Sequence, residues 1–205
     1  MSYSTRLREH AKKIGRDTRI ALVGAGQMGR GFGNQLGHMD GIALSVVIDI
    51  DPERIKIVYA DLGITDIVFS DDKDVLSKAI LAGKHTGTSN SEIVSELPVD
   101  VVVEGTGIPD IGARITHSSL LAKKDVAVLN VEMDVTIGPL LHKIAQDNGV
   151  VYAVCHGDEP VEAKVLVDYA RDLNFEIVCA GKGKNNPFEP LSNPDSVRET
   201  AIKKK

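Results

Sequence analysis

The chain has 205 residues with 42% hydrophobic and 26% charged content, which suits a soluble globular protein of one domain and part of a second. A net charge of −5 argues against a nucleic-acid surface, and no apolar run is long enough to span a bilayer. Residues 1–16 are basic and polar and lack the apolar core of a secretory signal.

In chain order, residues 7–14 predict a short basic helix on the domain surface, or alternatively a disordered leader, within an N-terminal segment of residues 1–18. An apolar strand over 19–23 then runs into Gly24-Ala25-Gly26-Gln27-Met28-Gly29, a Gly-x-Gly-x-x-Gly turn that opens a helix. Gly24 permits the tight turn, Gly26 lets the backbone approach a pyrophosphate, and Gly29 lets helix and strand pack closely. Amides of the first turn, around Gln27 and Met28, meet the phosphates. Met28, Phe32 and Leu36, four apart, predict the inward face of that helix.

Residues 42–48, rich in Val and Ile, predict a second strand that ends in Asp49-Ile50-Asp51-Pro52. Asp49 stands where a ribose-binding carboxylate belongs. Asp51, before Pro52 and Glu53, reads as a helix cap. A carboxylate at 49 repels a 2′-phosphate, so the expected cofactor is NAD, with NADP as the alternative. Arg30 either softens that preference from the phosphate end or is a solvated helix residue.

Residues 54–62 predict a helix closed by Gly63, and 67–69 a short strand. Ser70 then caps a helix whose small apolar face is Val75, Ala79 and Ala82. The acids around Asp71 and Asp72 suit its first turn better than they suit paired catalytic carboxylates. Residues 83–90 read as a polar loop, and 91–97 is ambiguous.

The β-branched run before Glu104-Gly105-Thr106-Gly107 predicts a strand buried on both faces of a parallel sheet. A helix over 111–123 follows, then a strand over 125–129 ending in Asn130-Val131-Glu132. A helix over 135–148 is closed by Gly149, and a strand over 150–154 ends at Cys155-His156-Gly157-Asp158. Val161, Val165, Tyr169 and Leu173 mark one helix face, and 175–180 predicts a last strand before Gly181-Lys182-Gly183-Lys184. Cys155 and Cys179, each in an apolar run, read as reduced core residues of a cytoplasmic protein. After residue 186, prolines at 187, 190 and 194 break regular structure until a final helix over 195–204.

The alternation predicts a doubly wound parallel α/β sheet, a Rossmann dinucleotide-binding domain over 19–186, with a short irregular extension over 187–205. Its ligand rim lies outside the carboxyl ends of the strands. There Glu104, Gly105, Thr106, Gly107 and Asn130 are candidate cofactor contacts, beside Gly24, Gly26, Gln27, Met28, Gly29 and Asp49. Lys184 is the expected proton donor to a carbonyl oxygen, with Asp158 or Glu132 orienting substrate or relaying the proton. No His/Cys spacing fits a metal, and the chain has neither a nucleophile elbow nor a P-loop.

Taken together, Gly24–Gly31, Val101–Gly107, Leu129-Asn130-Val131-Glu132-Met133-Asp134, Gly157-Asp158-Glu159-Pro160 and Gly181-Lys182-Gly183-Lys184-Asn185 resemble one group. It is the homoserine-dehydrogenase-like oxidoreductases, in particular the deoxyxylulose-phosphate reductoisomerase-like branch whose members often carry a SAF domain. The resemblance implies an NAD(P)-dependent oxidoreductase with a small-molecule substrate and a separate substrate-binding and dimerising region, hence a homo-oligomer. It also implies that this chain is the amino-terminal part of a longer protein, or an abbreviated member of the group. Val131 and Glu132 stand where homoserine dehydrogenases place a lysine after the asparagine, which points away from homoserine itself. The alternatives are a non-catalytic cofactor-holding module and a reductoisomerase-like enzyme.

Overall fold

A computed structural model describes residues 2–156, 159–181 and 189–203, and the chain divides into two compact units, Met1–Cys155 and His156–Lys205. The sequence-derived boundary at 186 therefore lies inside the second unit.

The first unit is built on a seven-stranded sheet in the order β3-β4-β2-β1-β5-β6-β7, with every pairing parallel. Helix α1 (Tyr3–Ile14) leads into β1 (Thr18–Val23), which lies between β2 (Ile42–Ile48) and β5 (Val101–Glu104). Strands β3 (Ile67–Phe69) and β4 (His85–Thr88) extend the sheet on one side, and β6 (Asp125–Val128) and β7 (Tyr152–Val154) on the other. Because successive strand residues face opposite ways, the two faces share out the apolar runs. Ala21 and Val23 join one core with Leu76, Leu120 and Leu141, while Ile20 and Leu22 join the other with Leu36, Val58 and Tyr59. Helices α2 (Gln27–Gly37) and α3 (Pro52–Asp61) cover the second face; α4 (Lys73–Leu81), α5 (Pro109–Leu121) and α6 (Val131–Asn148) cover the first. This is the expected doubly wound α/β sheet.

Several local expectations are corrected. Strand β4 lies within the stretch read as a polar loop. Its threonines are buried yet satisfied: Thr86 Oγ1 donates to the Ser45 carbonyl at 2.9 Å, and the Tyr59 hydroxyl donates to the Thr86 carbonyl at 2.9 Å. Helix α4 is capped by Asp72, which accepts from the amides of Asp74 and Val75, and Ser70 instead accepts from the Asp72 amide. Its buried face is Leu76, Ala79 and Ile80, leaving Val75 exposed. Helix α6 begins four residues earlier than expected because Asn130 caps it, its Oδ1 accepting from the Met133 amide at 3.2 Å. Gly149 closes that helix with φ +69°, as its place in the sequence requires.

In the second unit, α7 (Glu159–Asp172) follows the expected helical periodicity, with Val165, Tyr169 and Leu173 exposed. Among the described residues, 175–180 pair with no strand, and Cys179 is exposed rather than in a core. Asn193 accepts from the amides of Asp195 and Ser196, and helix α8 (Arg198–Lys203) follows, three residues later than expected.

Candidate functional site

The carboxyl ends of β2, β1 and β5 are stitched together by backbone bonds just where the chain leaves the sheet. The Gly24 amide donates to Ile48 O and the Gly105 amide to Val23 O, both at 2.8 Å. Gly24 has φ +93°, and a Cβ there would lie 2.5 Å from the Gly105 carbonyl oxygen. The turn therefore accepts only glycine, for both conformation and space. The chain then enters α2 through Gly26, which caps the helix without any side chain. A Cβ at Gly26 would meet nothing within 4 Å, so the first turn of α2 faces open space.

Four residues into the turn, a Cβ at Gly29 would lie 1.8 Å from the Gly24 carbonyl oxygen, so helix and strand touch backbone to backbone. The buried positions of α2 are Gly29, Gly33 and Leu36. This corrects the predicted Met28, Phe32 and Leu36 face at Met28, which is 70% exposed, while Phe32 packs against the same core as Leu36.

Asp51 caps the next helix as the sequence suggests. Asp51 Oδ1 accepts from the Glu53 amide at 3.0 Å and caps α3. Asp49 is buried, its Oδ2 accepting from the Ala25 amide at 2.7 Å and its Oδ1 from the Asp51 amide at 2.9 Å. Each carboxylate oxygen keeps a second lone pair for another donor. Two amides of the glycine turn, those of Gly24 and Ala25, are thus taken by the protein, while the start of α2 is left open.

A cavity of about 230 Å³ opens at this junction, lined by Gly26, Asp49, Ile50, Ser89, Thr106 and Ile108 among others. Ile50 and Ile108 are 87% and 53% exposed, apolar surface presented beside a polar floor. The wall at Ser89 is held by Asp71, which accepts from the Thr88 hydroxyl and the Ser89 amide. Those bonds hold the Asp71 carboxyl below the usual carboxylate range. A wider cleft of about 700 Å³ runs from Gly26 along α2 and α3, past Arg30, Asn34, Arg54 and Asp61. Arg30 is committed there to a two-pronged bond with Asp61, at 2.5 and 2.8 Å, and Arg54 lies 3.6 Å from Asp51.

Not every candidate reaches the cavity. Gly105 and Thr106 line it, but Glu104 and Asn130 are 0% and 1% exposed and lie behind it. Burial pushes the Glu104 carboxyl up, opposed by hydrogen bonds from Thr106 and by the Asn130 amide. Gly107 has φ +69° in the turn that follows. Glu132 is exposed on the first turn of α6. Asp158, Lys182 and Lys184 fall outside the described residues. His156 Nδ1 lies 3.0 Å from Glu162 Oε1, and burial raises the Cys155 thiol. No group of three or more His, Cys, Asp or Glu residues among those described is arranged to hold a metal. Sequence reasoning missed Ile50, Ser89, Ser91 and Ile108. The available signal was an exposed apolar residue set directly after a strand's polar end, as Ile50 is after Asp49.

Comparison with known proteins adds two findings. A family model described as the catalytic domain of oxidoreductase DRL matches residues 157–205. Solved structures resemble most of the chain. The WlbA dehydrogenase of Bordetella pertussis, in complex with NADH and UDP-GlcNAcA, is 19% identical with a TM-score of 0.54, over 78% of this chain and 40% of that one. A probable dehydrogenase from Thermotoga maritima is 15% identical with a TM-score of 0.53, over 76% of this chain and 41% of that one. The scyllo-inositol dehydrogenase of Lactobacillus casei, with bound NAD(H) and scyllo-inositol, is 15% identical with a TM-score of 0.50, over 76% and 42%. The chain thus spans about two fifths of the length of these structures. No curated protein matches it.

Proposed function

We propose that this chain is the dinucleotide-binding part of an NAD-dependent oxidoreductase of homoserine-dehydrogenase-like type, acting on a small polar carbonyl or hydroxy compound. The observation that carries this reading is the first turn of α2, capped by no side chain and open at Gly26, beside the buried Asp49 carboxylate. The amides around Gly26, Gln27 and Met28 offer donors and a positive dipole end to a diphosphate. Asp49 offers its remaining lone pairs to ribose hydroxyls. The exposed faces of Ile50 and Ile108 supply apolar surface for a flat base. A nicotinamide held from this site would give or take a hydride at the substrate carbon.

Charge around the ribose supports NAD over NADP. Asp49 repels a 2′-phosphate, and both nearby arginines are already engaged, Arg30 by Asp61 and Arg54 by Asp51. The family match and the NADH-bound neighbours support oxidoreductase chemistry. Within that reading Lys184 remains the donor to the substrate oxygen, with Asp158 or Glu132 orienting the substrate.

Titration of the chain with NADH and NADPH, followed by calorimetry or quenching of the reduced nicotinamide emission, tests the proposal. NADH should bind saturably and at least about ten-fold more tightly than NADPH, the effect of one unfavourable charge contact worth about 1.4 kcal/mol. Binding of neither would reject the dinucleotide reading, and a preference for NADPH would reject the role given to Asp49.

A further inference from the structure

We propose that Glu104 and Asn130 form a matched buried donor–acceptor pair that positions Thr106, and through it sets the affinity of the cleft for its dinucleotide. The second clause rests on the dinucleotide reading above; the first stands on the geometry alone. Glu104 ends β5 and Asn130 caps α6, so the pair joins two adjacent strand ends beneath the cavity floor.

Glu104 is divided between two tasks. Its Oε1 accepts both the Thr106 amide, at 2.9 Å, and the Thr106 hydroxyl. Thr106 Oγ1 in turn accepts from the Ile108 amide at 3.3 Å. One carboxylate oxygen thus holds the turn whose residues Thr106 and Ile108 line the cavity. The other oxygen, Oε2, is buried, and the Asn130 side chain acts on the same carboxylate as a hydrogen-bond donor.

The Asn130 side chain has only one way to face. Its Oδ1 is committed to the Met133 amide, so the atom presented to Glu104 is Nδ2. Within the described residues neither Oε2 nor Nδ2 has a hydrogen-bond partner of ordinary geometry. Both border one small space: they lie 2.9 and 2.7 Å from where a Cβ on Gly112 would stand. A buried amide N–H and a buried carboxylate oxygen with no alternative partner are satisfied only by each other. Gly112 keeps the space between α5 and the pair clear, and any side chain there would push into both.

This arrangement makes the chemistry of the two residues exchangeable only as a pair. Glu104→Gln keeps an acceptor for Thr106 but sets one NH₂ group against another. Asn130→Asp keeps the α6 cap but sets carboxylate against carboxylate. The double variant exchanges donor and acceptor, and keeps both the Thr106 acceptor and the cap.

The test measures NADH dissociation constants and amide hydrogen exchange for the full chain and these three variants. Each single variant should weaken NADH binding about ten-fold, a buried hydrogen bond's worth, and speed exchange at Thr106 and Ile108 relative to β1. The double variant should return both readouts to within about three-fold of the parent, well inside the loss expected of either single change. Two results overturn the proposal: a double variant as impaired as its worse single parent, or singles that exchange faster everywhere alike with NADH affinity unchanged. If a single variant does not fold, a folded double supports the pairing and an unfolded double rejects it. If the parent chain binds no NADH, the dinucleotide reading fails, and local exchange with its rescue alone decides whether the pair holds the turn.

Discussion

At the scale of single residues, the glycines of the first turn are not equivalent, and neighbouring alanine substitutions should separate them. Gly29→Ala would drive a Cβ to within 1.8 Å of the Gly24 carbonyl, a backbone atom that the sheet holds in place. It should destabilise the chain by about 1–3 kcal/mol or more and weaken NADH binding with it, since the turn must shift. Gly31→Ala meets nothing within 4 Å on an exposed helical position, so it should stabilise by about 0.5–1 kcal/mol. Thermal melts of both variants check the pair; equal effects would contradict the close helix–strand approach. The tight turn at Gly24, the close approach at Gly29 and the Asp51 cap were legible because they follow from spacing and from the proline next door. Glu104 and Asn130 were misplaced at this scale. A polar residue at a strand end can face either the ligand or its neighbours, and only packing shows which.

Among elements, the corner where α1 meets the sheet carries a pH-dependent contribution. Arg16, just past the end of α1, grips Asp100 with bonds of 2.6 and 2.8 Å, and the Arg19 amide of β1 donates to the same carboxylate at 2.7 Å. Burial pushes the Asp100 carboxyl up, but the Arg16 and Arg19 bonds outweigh it and hold it below the usual range. A carboxylate depressed in the folded state stabilises fully above its unfolded pKa of about 3.9, and that contribution fades as pH falls through the lower folded value. The melting temperature of the parent chain should therefore exceed that of Asp100→Asn at neutral pH, and the gap should close as the pH falls below about 4. A gap that does not change with pH would show that the ion pair is not the cause. Boundaries of most helices and strands could be read from periodicity and caps, β2 and β3 to the residue. Strand β4 could not, because His85-Thr86-Gly87-Thr88 has loop composition. It is a strand because β2 and β3 pair with it on both sides and Tyr59 reaches its backbone. The face of α2 was misread at Met28 for a related reason: where helix and sheet approach most closely, glycine is the inward residue, while Phe32 and Leu36 pack as periodicity predicts.

Across the whole molecule, the site described for the dinucleotide lies in Met1–Cys155, while Lys184 belongs to His156–Lys205. Binding and proton donation should then separate on mutation. Lys184→Ala should leave the NADH dissociation constant within about two-fold and remove turnover by about 10²-fold or more, the usual scale of general acid catalysis. Steady-state turnover alongside NADH titration decides it, and undiminished turnover would remove Lys184 from the chemistry. The sequence by itself determined the alternation of strand and helix, the parallel sheet, the glycine turn and the acid one strand over, because each is written in local spacing and local conformational preference. Tertiary structure alone decided the polar strand β4, the inward glycine face of α2, and the withdrawal of Glu104 and Asn130 beneath the cavity. Those depend on which backbone lies within hydrogen-bond or van der Waals reach, and residues distant along the chain supply it.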